Sequence, residues 1–469
     1  MPAEQATQYD AVIIGAGQGG TPLAKELAGA GWKVALVEAD KVGGSCVNYG
    51  CTPTKTLLAS AQVAHTVRQA AVFGVEAKLN QVNMQAVKER RDAVVKQFRQ
   101  GSQTGLEKSA VDLIFGKASF LNKDTLEILL EDGKTQQLTA EKTIINTGAS
   151  PRTPALDGLE EVPYLTHKTI QELTVLPKHL VIIGGGYIAV EFGQMFSRFG
   201  SKVTIVQRSN QLLSREDPDV AEALQQILTS EGIEVLLNAE PQQVKEQEKE
   251  NITLTYKDAA GKKQELHGSH LLLAVGVKPN TQTLQLQKAG IETDEKGNIK
   301  TDKHLRTTCE GVYAIGDVKG GPMFTHISYD DFRILRDAFL HQKSRSTDER
   351  PIPYCVFTDP QLGRIGLTEK QAREQQKKFR IAQLDMKTVA RGIETGNTQG
   401  FYKVLVDAET DQLLGAAILA PEGGEIMSAL QIAMMGKLTY QQLQEGMFAH
   451  PTYIESFNNL FMNLNQEKK

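Results

Sequence analysis

The sequence is poor in the features that mark several protein classes. Four cysteines in 469 residues are too few for a disulfide scaffold. No apolar run approaches the roughly 20 residues that cross a bilayer, so no membrane partner is expected. Basic charge is not in excess: 52 Lys and Arg stand against 56 Asp and Glu, a net charge of −4, which speaks against nucleic acid or acidic lipid as a partner. The opening MPAEQATQYD lacks the charged-then-apolar layout of a signal peptide, and the expected location is cytoplasmic. In a reducing compartment a cysteine pair is a reaction centre before it is a structural link. The remaining composition, 40% hydrophobic and 23% charged, is that of a globular protein, with room for about three domains at ~150 residues each.

What is present is a long-range repeat. Residues 9–20, YDAVIIGAGQGG, run a β-prone segment into Gly15, Gly17 and Gly20. A second apolar segment, KVALVEA, ends on Glu38. A strand, three spaced glycines and a terminal acid form the βαβ unit that cradles a dinucleotide diphosphate at a helix N-terminus. Gly15 makes the turn, Gly17 admits the phosphates, Gly20 lets helix meet strand, and Glu38 accepts ribose hydroxyls. Residues 180–191, LVIIGGGYIAVE, repeat the pattern with Gly184, Gly186 and Ala189, and Gln207 stands where Glu38 does. The second copy then offers Arg208 and Arg215. Loss of the acid and gain of guanidinium groups favour a 2′-phosphate. FAD is therefore expected in the first unit and NADPH, in preference to NADH, in the second. The alternative is that both arginines are solvated surface charges.

Soon after Glu38 comes VGGSCVNYGCTPTKTLLASA. Cys46 and Cys51 are five residues apart, and Pro53 suits the first turn of a helix whose N-terminus would stabilise a Cys51 thiolate. Gly44 and Gly50 give the backbone room to bring the sulfurs together and to lie against a flat ring, and Gly44 is an expected cofactor contact. Beside a flavin-binding unit, this spacing suggests a pair that exchanges electrons with the flavin; two buried thiols are the alternative. Cys309 and Cys355 stand alone, so neither a zinc site nor any other resident metal is expected.

The segment GGSCVNYGCTPTK resembles the active-site stretch of the class I flavoprotein disulfide reductases, which include mercuric reductase, dihydrolipoamide dehydrogenase and glutathione reductase. Other segments are similar to that family in the same order: NTGASPRTP (146–154), AVGVKPNT (274–281), YAIGDV (313–318), VFTDPQLGRIGLTE (356–369) and AHPTYIESF (449–457). Val277 replaces the arginine usual in the second of these. The resemblance implies an α/β fold of two Rossmann-like domains, for FAD and NAD(P), plus an α+β C-terminal dimerisation domain. It divides the chain into 1–150 and 280–350 for FAD, 151–279 for NAD(P), and 351–469 for the interface. It implies cofactor contacts at Thr147, Gly148, Gly276, Gly316 and Asp317, with His326 near the flavin ring. Cys51 resembles the thiol nearest the flavin and Cys46 the thiol that attacks substrate. His450 resembles the acid/base and Glu455 its orienting partner. Lys55 and Glu191 resemble an ion pair beside the flavin, and Tyr187 the ring that covers the flavin until nicotinamide displaces it. Because the family's histidine serves the other subunit, a homodimer with shared sites is implied.

The implied activity carries electrons from NADPH through FAD to the Cys46–Cys51 disulfide and on to a small-molecule disulfide or metal-ion acceptor. The mercuric reductase-like branch is favoured, although the chain lacks that branch's N-terminal metal-binding domain and its vicinal C-terminal cysteines. Dihydrolipoamide dehydrogenase and glutathione reductase activities are the alternatives, and a redox sensor without turnover is the alternative of another class. Elsewhere, Lys88, Arg90 and Arg91 are expected on a solvated helix face, 340–351 as a polar linker, and the NQEKK tail as disordered.

Overall fold

The computed structural model describes residues 6–248, 251–348 and 350–465. The first sheet carries five parallel strands in the order Val111–Phe120, Val34–Glu38, Thr7–Ile14, Thr135–Ile145 and Val312–Ala314. The far ends of Val111–Phe120 and Thr135–Ile145 are joined by the antiparallel strand Thr125–Leu130. Continuous apolar runs suit central parallel strands covered on both faces, and every residue of VALVE at 34–38 is buried. The second sheet repeats the design in the order His270–Leu273, His179–Ile183, Lys202–Val206 and Glu234–Leu236. Three antiparallel strands, Glu240–Glu248, Asn251–Lys257 and Lys263–Gly268, accompany it.

The third unit is a six-stranded antiparallel sheet running from Tyr354–Val356 to Leu464–Asn465, with the helix Gly423–Met435 packed on it. The architecture is thus the expected α/β pair of dinucleotide-binding units followed by an α+β unit. The chain passes from the first sheet to the second and back through two short strands, Ala149–Pro151 and Val277–Pro279, which pair antiparallel with each other. No helix among the described residues is long and apolar enough to cross a membrane.

One packing contact positions the chemistry. The helix Cys51–Gln69 lies against Tyr187–Phe199, and Leu57 and Ala61 of the first share a core with Phe192, Met195 and Phe196 of the second. This brings the cysteine segment of the first repeat against the opening of the second.

On the helix Met84–Glu107 the expectation of a solvated basic face is corrected at Arg91, while Arg90 is exposed and Lys88 half-buried. Arg91 is only 3% exposed; it donates to Glu172 at 2.8 Å and to the Gln171 carbonyl at 2.9 Å. Arg90 donates to the Thr56 carbonyl, and Lys88 pairs with Asp92 and Glu172. Thr56, Gln171 and Glu172 lie on segments distant in sequence, so these bonds tie the helix to its neighbours; Asp92 is on the helix itself. The polar stretch after the helix Thr325–Leu340 is irregular, as expected, yet pinned: Arg345 and Arg350 pair with Asp330, and Arg350 reaches the fully buried Asp331. Most of the expected disordered tail lies outside the described residues.

Candidate functional site

The two glycine turns are built alike. Gly15 and Gly184 both adopt φ of +110°, and a Cβ on either would strike a carbonyl of the neighbouring strand, Asn146 O at 2.3 Å and Ala274 O at 2.5 Å. Only glycine fits there. A Cβ on Gly20 would meet the Gly15 carbonyl at 2.2 Å, whereas Ala189 occupies the same place in the second unit, fully buried. A Cβ on Gly186 would meet nothing within 4 Å. That leaves open backbone at the N-terminus of the helix Tyr187–Phe199, where N–H groups and the helix dipole favour an anion.

Both turns open into one groove of about 2000 Å³. Its walls include Gly15, Gly17, Glu38, Gly44, Cys46, Cys51 and Lys55 from the first unit. From the second come Gly184, Gly186, Tyr187, Glu191, Arg208 and Arg215. Thr147, Gly148, Gly276, Asp317 and His326 complete the walls, while Gly20, Ala189 and Gly316 pack behind them. The donor set suits two dinucleotides. The buried Glu38 carboxylate, raised in pKa chiefly by burial, already accepts the Ala16 and Asp40 N–H groups at 2.7 and 2.8 Å. The Asp317 side chain makes no hydrogen bond among the described residues and is pushed up to about 6 by burial, against the opposing charge of Lys319. Gly316, at φ of +70°, donates to Asp331 at 2.8 Å. In the second unit the Gln207 amide turns to Ser209 and Gln211, while Arg208 and Arg215 remain exposed at the groove.

The cysteine segment closes against the first turn. Gly43 and Gly44 have φ of +101° and +62°, and a Cβ on Gly44 would lie 2.7 Å from the Gly17 Cα. Cys46 is half-buried on the short helix Gly44–Asn48, and Cys51 opens the helix Cys51–Gln69. Both are free thiols. A hydrogen bond between the two sulfurs lowers the Cys51 pKa to about 6 and raises that of Cys46. The Thr325 hydroxyl, 3.3 Å from the Cys51 sulfur, and the Lys55 ammonium act in the same direction on Cys51. The arrangement therefore holds a thiolate at Cys51 and a proton at Cys46.

Lys55 donates to Glu191 at 2.7 Å. The other Glu191 oxygen accepts the Phe357 backbone N–H at 2.8 Å, and Lys55 also lies 4.6 Å from the Phe357 ring. Thr147 donates its hydroxyl to the Asn280 carbonyl at 2.8 Å, and the Asn280 amide returns a bond to the Thr147 carbonyl; the pair clips the two crossings together. His326 stacks on Phe324 at 5.4 Å, and burial lowers its pKa.

His450 and Glu455 meet across a turn, with Nδ1 2.9 Å from the carboxylate. Thr452 holds that turn by donating to the Ala449 carbonyl and accepting the Glu455 N–H. Neither residue lines the groove, and the His450 side chain is 67% exposed. The sequence reading missed Asn146, whose amide donates to the Gly15 carbonyl, and Thr325 beside Cys51. Each is adjacent to a residue it did name, Thr147 and His326. It also set Cys355 aside, yet Cys355 lines the groove, its thiol pushed up to about 12 by burial.

Comparison with known proteins identifies the family. Residues 9–331 match the pyridine nucleotide-disulphide oxidoreductase family, and residues 352–461 match that family's dimerisation domain. The chain is 39% identical over 459 residues to the probable pyridine nucleotide-disulfide oxidoreductase RclA of Escherichia coli, covering 97% of this chain and 99% of RclA. It is 35% identical to the mercuric reductase of Staphylococcus aureus, covering 95% of this chain and 81% of that protein. A solved Cu(II) complex of the HOCl-induced flavoprotein disulfide reductase RclA from Escherichia coli superimposes with a TM-score of 0.88 at 36% identity, covering 97% of this chain and 99% of that one. The chain belongs to the class I pyridine nucleotide-disulphide oxidoreductases, flavoprotein reductases that use FAD and a nicotinamide nucleotide.

Proposed function

We propose that the protein is an NADPH-dependent flavoprotein reductase that passes two electrons, by way of FAD, to a Cys46–Cys51 disulfide and on to a disulfide or metal-ion acceptor. Residues 1–150 and 280–350 serve FAD, 151–279 serve NADPH, and 351–469 form the dimer interface, in a cytoplasmic enzyme. The observation that carries this reading is the cysteine pair, with its lowered Cys51 thiol at a helix N-terminus, opening into the groove that both glycine turns share.

Gly15, Gly17 and Gly20 form the first diphosphate cradle, with Glu38 on the ribose and Asp317 on the ribityl chain. Gly184, Gly186 and Ala189 form the second, with Arg208 and Arg215 on the 2′-phosphate. FAD held there would supply the two-electron relay between the nicotinamide hydride and the disulfide. Reduction breaks the S–S bond, leaving a thiolate on Cys51 and a proton on Cys46. Cys46 must lose that proton to attack an acceptor. Within the groove, burial keeps His167 and His326 neutral and weakly basic. His450 of the partner subunit takes the proton and later returns it to the leaving group, and Glu455 stabilises the charged ring. The outward position of the dyad supports this role. So do the exposed apolar side chains of the same unit, Ile432, Met435, Met447 and Met462, each at least 67% exposed.

Among acceptors, a metal ion is favoured: mercuric reductases are relatives, and the similar RclA structure is a Cu(II) complex. The test is an anaerobic NADPH titration followed by an acceptor screen with Hg(II), Cu(II), lipoamide, glutathione disulfide and quinones. A long-wavelength thiolate–flavin band should appear and vanish in Cys51→Ser. Its survival there overturns the assignment, and absence of turnover with every acceptor favours a sensor. Arg208→Ala should erase a preference for NADPH over NADH.

A further inference from the structure

Tyr354 lies on the strand Tyr354–Val356, at the entry to the dimerisation unit. Its ring is nearly parallel to Phe324, with centroids 5.3 Å apart and planes at 11°, and it lies 5.7 Å from the Tyr187 ring. Tyr187 and Phe324 are themselves 6.0 Å apart. The three rings form a closed triangle on the groove wall, each from a different part of the chain.

The Tyr354 hydroxyl lies beside that of Tyr187 and is anchored on its far side. It donates to Glu216 Oε1, the one hydrogen bond to that carboxylate among the described residues. Glu216 Oε2 and the Arg364 guanidinium lack hydrogen-bond partners, although both side chains are at most 1% exposed. Arg364 lies 3.8 Å from Glu216 and 3.6 Å from Asp217, an electrostatic neighbour rather than a hydrogen-bond donor. A buried carboxylate with a single donor holds that donor strongly, since losing it leaves both oxygens without a hydrogen bond. The hydroxyl therefore fixes where the Tyr354 ring lies. Glu216 precedes the helix Pro218–Ser230 in the same nucleotide unit that carries Tyr187, so the tether joins that unit to the dimerisation unit beside Tyr187.

We infer that Tyr354 is a positioning residue for Tyr187: the Glu216 tether holds the Tyr354 ring as the surface against which Tyr187 rests when it covers the flavin side of the groove. This rests on the reading of Tyr187 as the covering ring. Tyr354→Phe keeps the ring and removes the tether together with the hydroxyl's contact to Tyr187, whereas Glu216→Leu removes the tether alone. Tyr187 then leaves its place more readily, which tightens NADP⁺ binding and raises acceptor-free NADPH oxidation by oxygen, each by about three- to tenfold, within the usual range for coupled neighbours.

The test is a double-mutant cycle on the FAD-loaded protein. NADP⁺ affinity is read from the flavin absorbance change and oxygen consumption is read separately. Tyr187→Ala alone must change both; if it changes neither, the covering role itself is wrong. If Tyr187→Ala acts and Tyr354→Phe is silent in its background but active in the wild type, the inference stands. Equal effects in both backgrounds, or no effect in the wild type, overturn it. Should Tyr354→Phe fail to load FAD, Glu216→Leu removes the same bond from the other end and must show the same dependence on Tyr187. Glu216→Gln, which keeps a carbonyl acceptor for the hydroxyl, is expected to rescue; a gating shift as large as that of Glu216→Leu counts against the tether.

Discussion

Replacing Lys55 with methionine tests the electrostatics of the site most directly. Lys55 sits one helical turn beyond Cys51 and donates to Glu191 at 2.7 Å. The Glu191 side chain is 7% exposed and keeps only the Phe357 N–H when the ammonium is gone. Breaking a buried pair from one side costs about 3–5 kcal/mol. Because a third of the Lys55 side chain is exposed, a loss of about 2–3 kcal/mol is expected, below that range. Cys51 should respond as well. Two charges about 6 Å apart, at an effective dielectric of roughly 20–40, interact by about 1.4–2.8 kcal/mol, equivalent to about 1–2 pKa units. The ammonium favours the thiolate and Glu191 opposes it, so Lys55→Met raises the Cys51 pKa from about 6 and Glu191→Gln lowers it. Thiolate ultraviolet absorbance across pH, taken as a difference against Cys51→Ser, reads the shift, and urea unfolding reads the stability. An unchanged midpoint in Lys55→Met, or shifts of the same sign in the two variants, refutes this account.

Three further outcomes follow from the geometry. Gly44→Ala places a methyl group 2.7 Å from the Gly17 Cα at a φ of +62°, so about 2 kcal/mol or more of strain is expected, together with poor FAD retention on gel filtration. His450→Gln should leave flavin reduction by NADPH intact and slow the reduction of disulfide acceptors by about 10²–10⁴-fold in stopped-flow assays. Asp317, raised to about 6 by burial, contributes stability to FAD-free protein that is present at low pH and lost as pH rises through that value. The fall should not exceed about 3 kcal/mol, and Asp317→Asn should flatten this part of the stability profile measured by denaturant unfolding.

The parts of the site legible in the sequence are those whose chemistry is local. A glycine turn at the end of a strand and two cysteines before a helix each do their work within one contiguous segment. The spacing of Gly15, Gly17 and Gly20, or of Cys46 and Cys51, therefore carries the meaning. The same spacing, repeated 169 residues later at Gly184 and Gly186, exposed the doubled architecture. Charge patterns were less reliable: Arg91, grouped with solvated neighbours, is buried because its acceptors are contributed by residues 171 and 172.

What tertiary structure alone decided is which distant groups share an atom. Resemblance named Lys55 and Glu191, but only packing of their two helices brings them to 2.7 Å across 136 residues of chain and adds the Phe357 N–H. The Thr147–Asn280 clip, Thr325 beside the Cys51 sulfur, and Tyr354 on Glu216 have no local signature, since each joins side chains from separate parts of the fold. Sequence by itself determined the two dinucleotide cradles, because backbone conformation and helix ends are set by neighbours along the chain. The electrostatic setting of the cysteines and the wall of the groove depend on burial and long-range contact, and those exist only once the three units have packed.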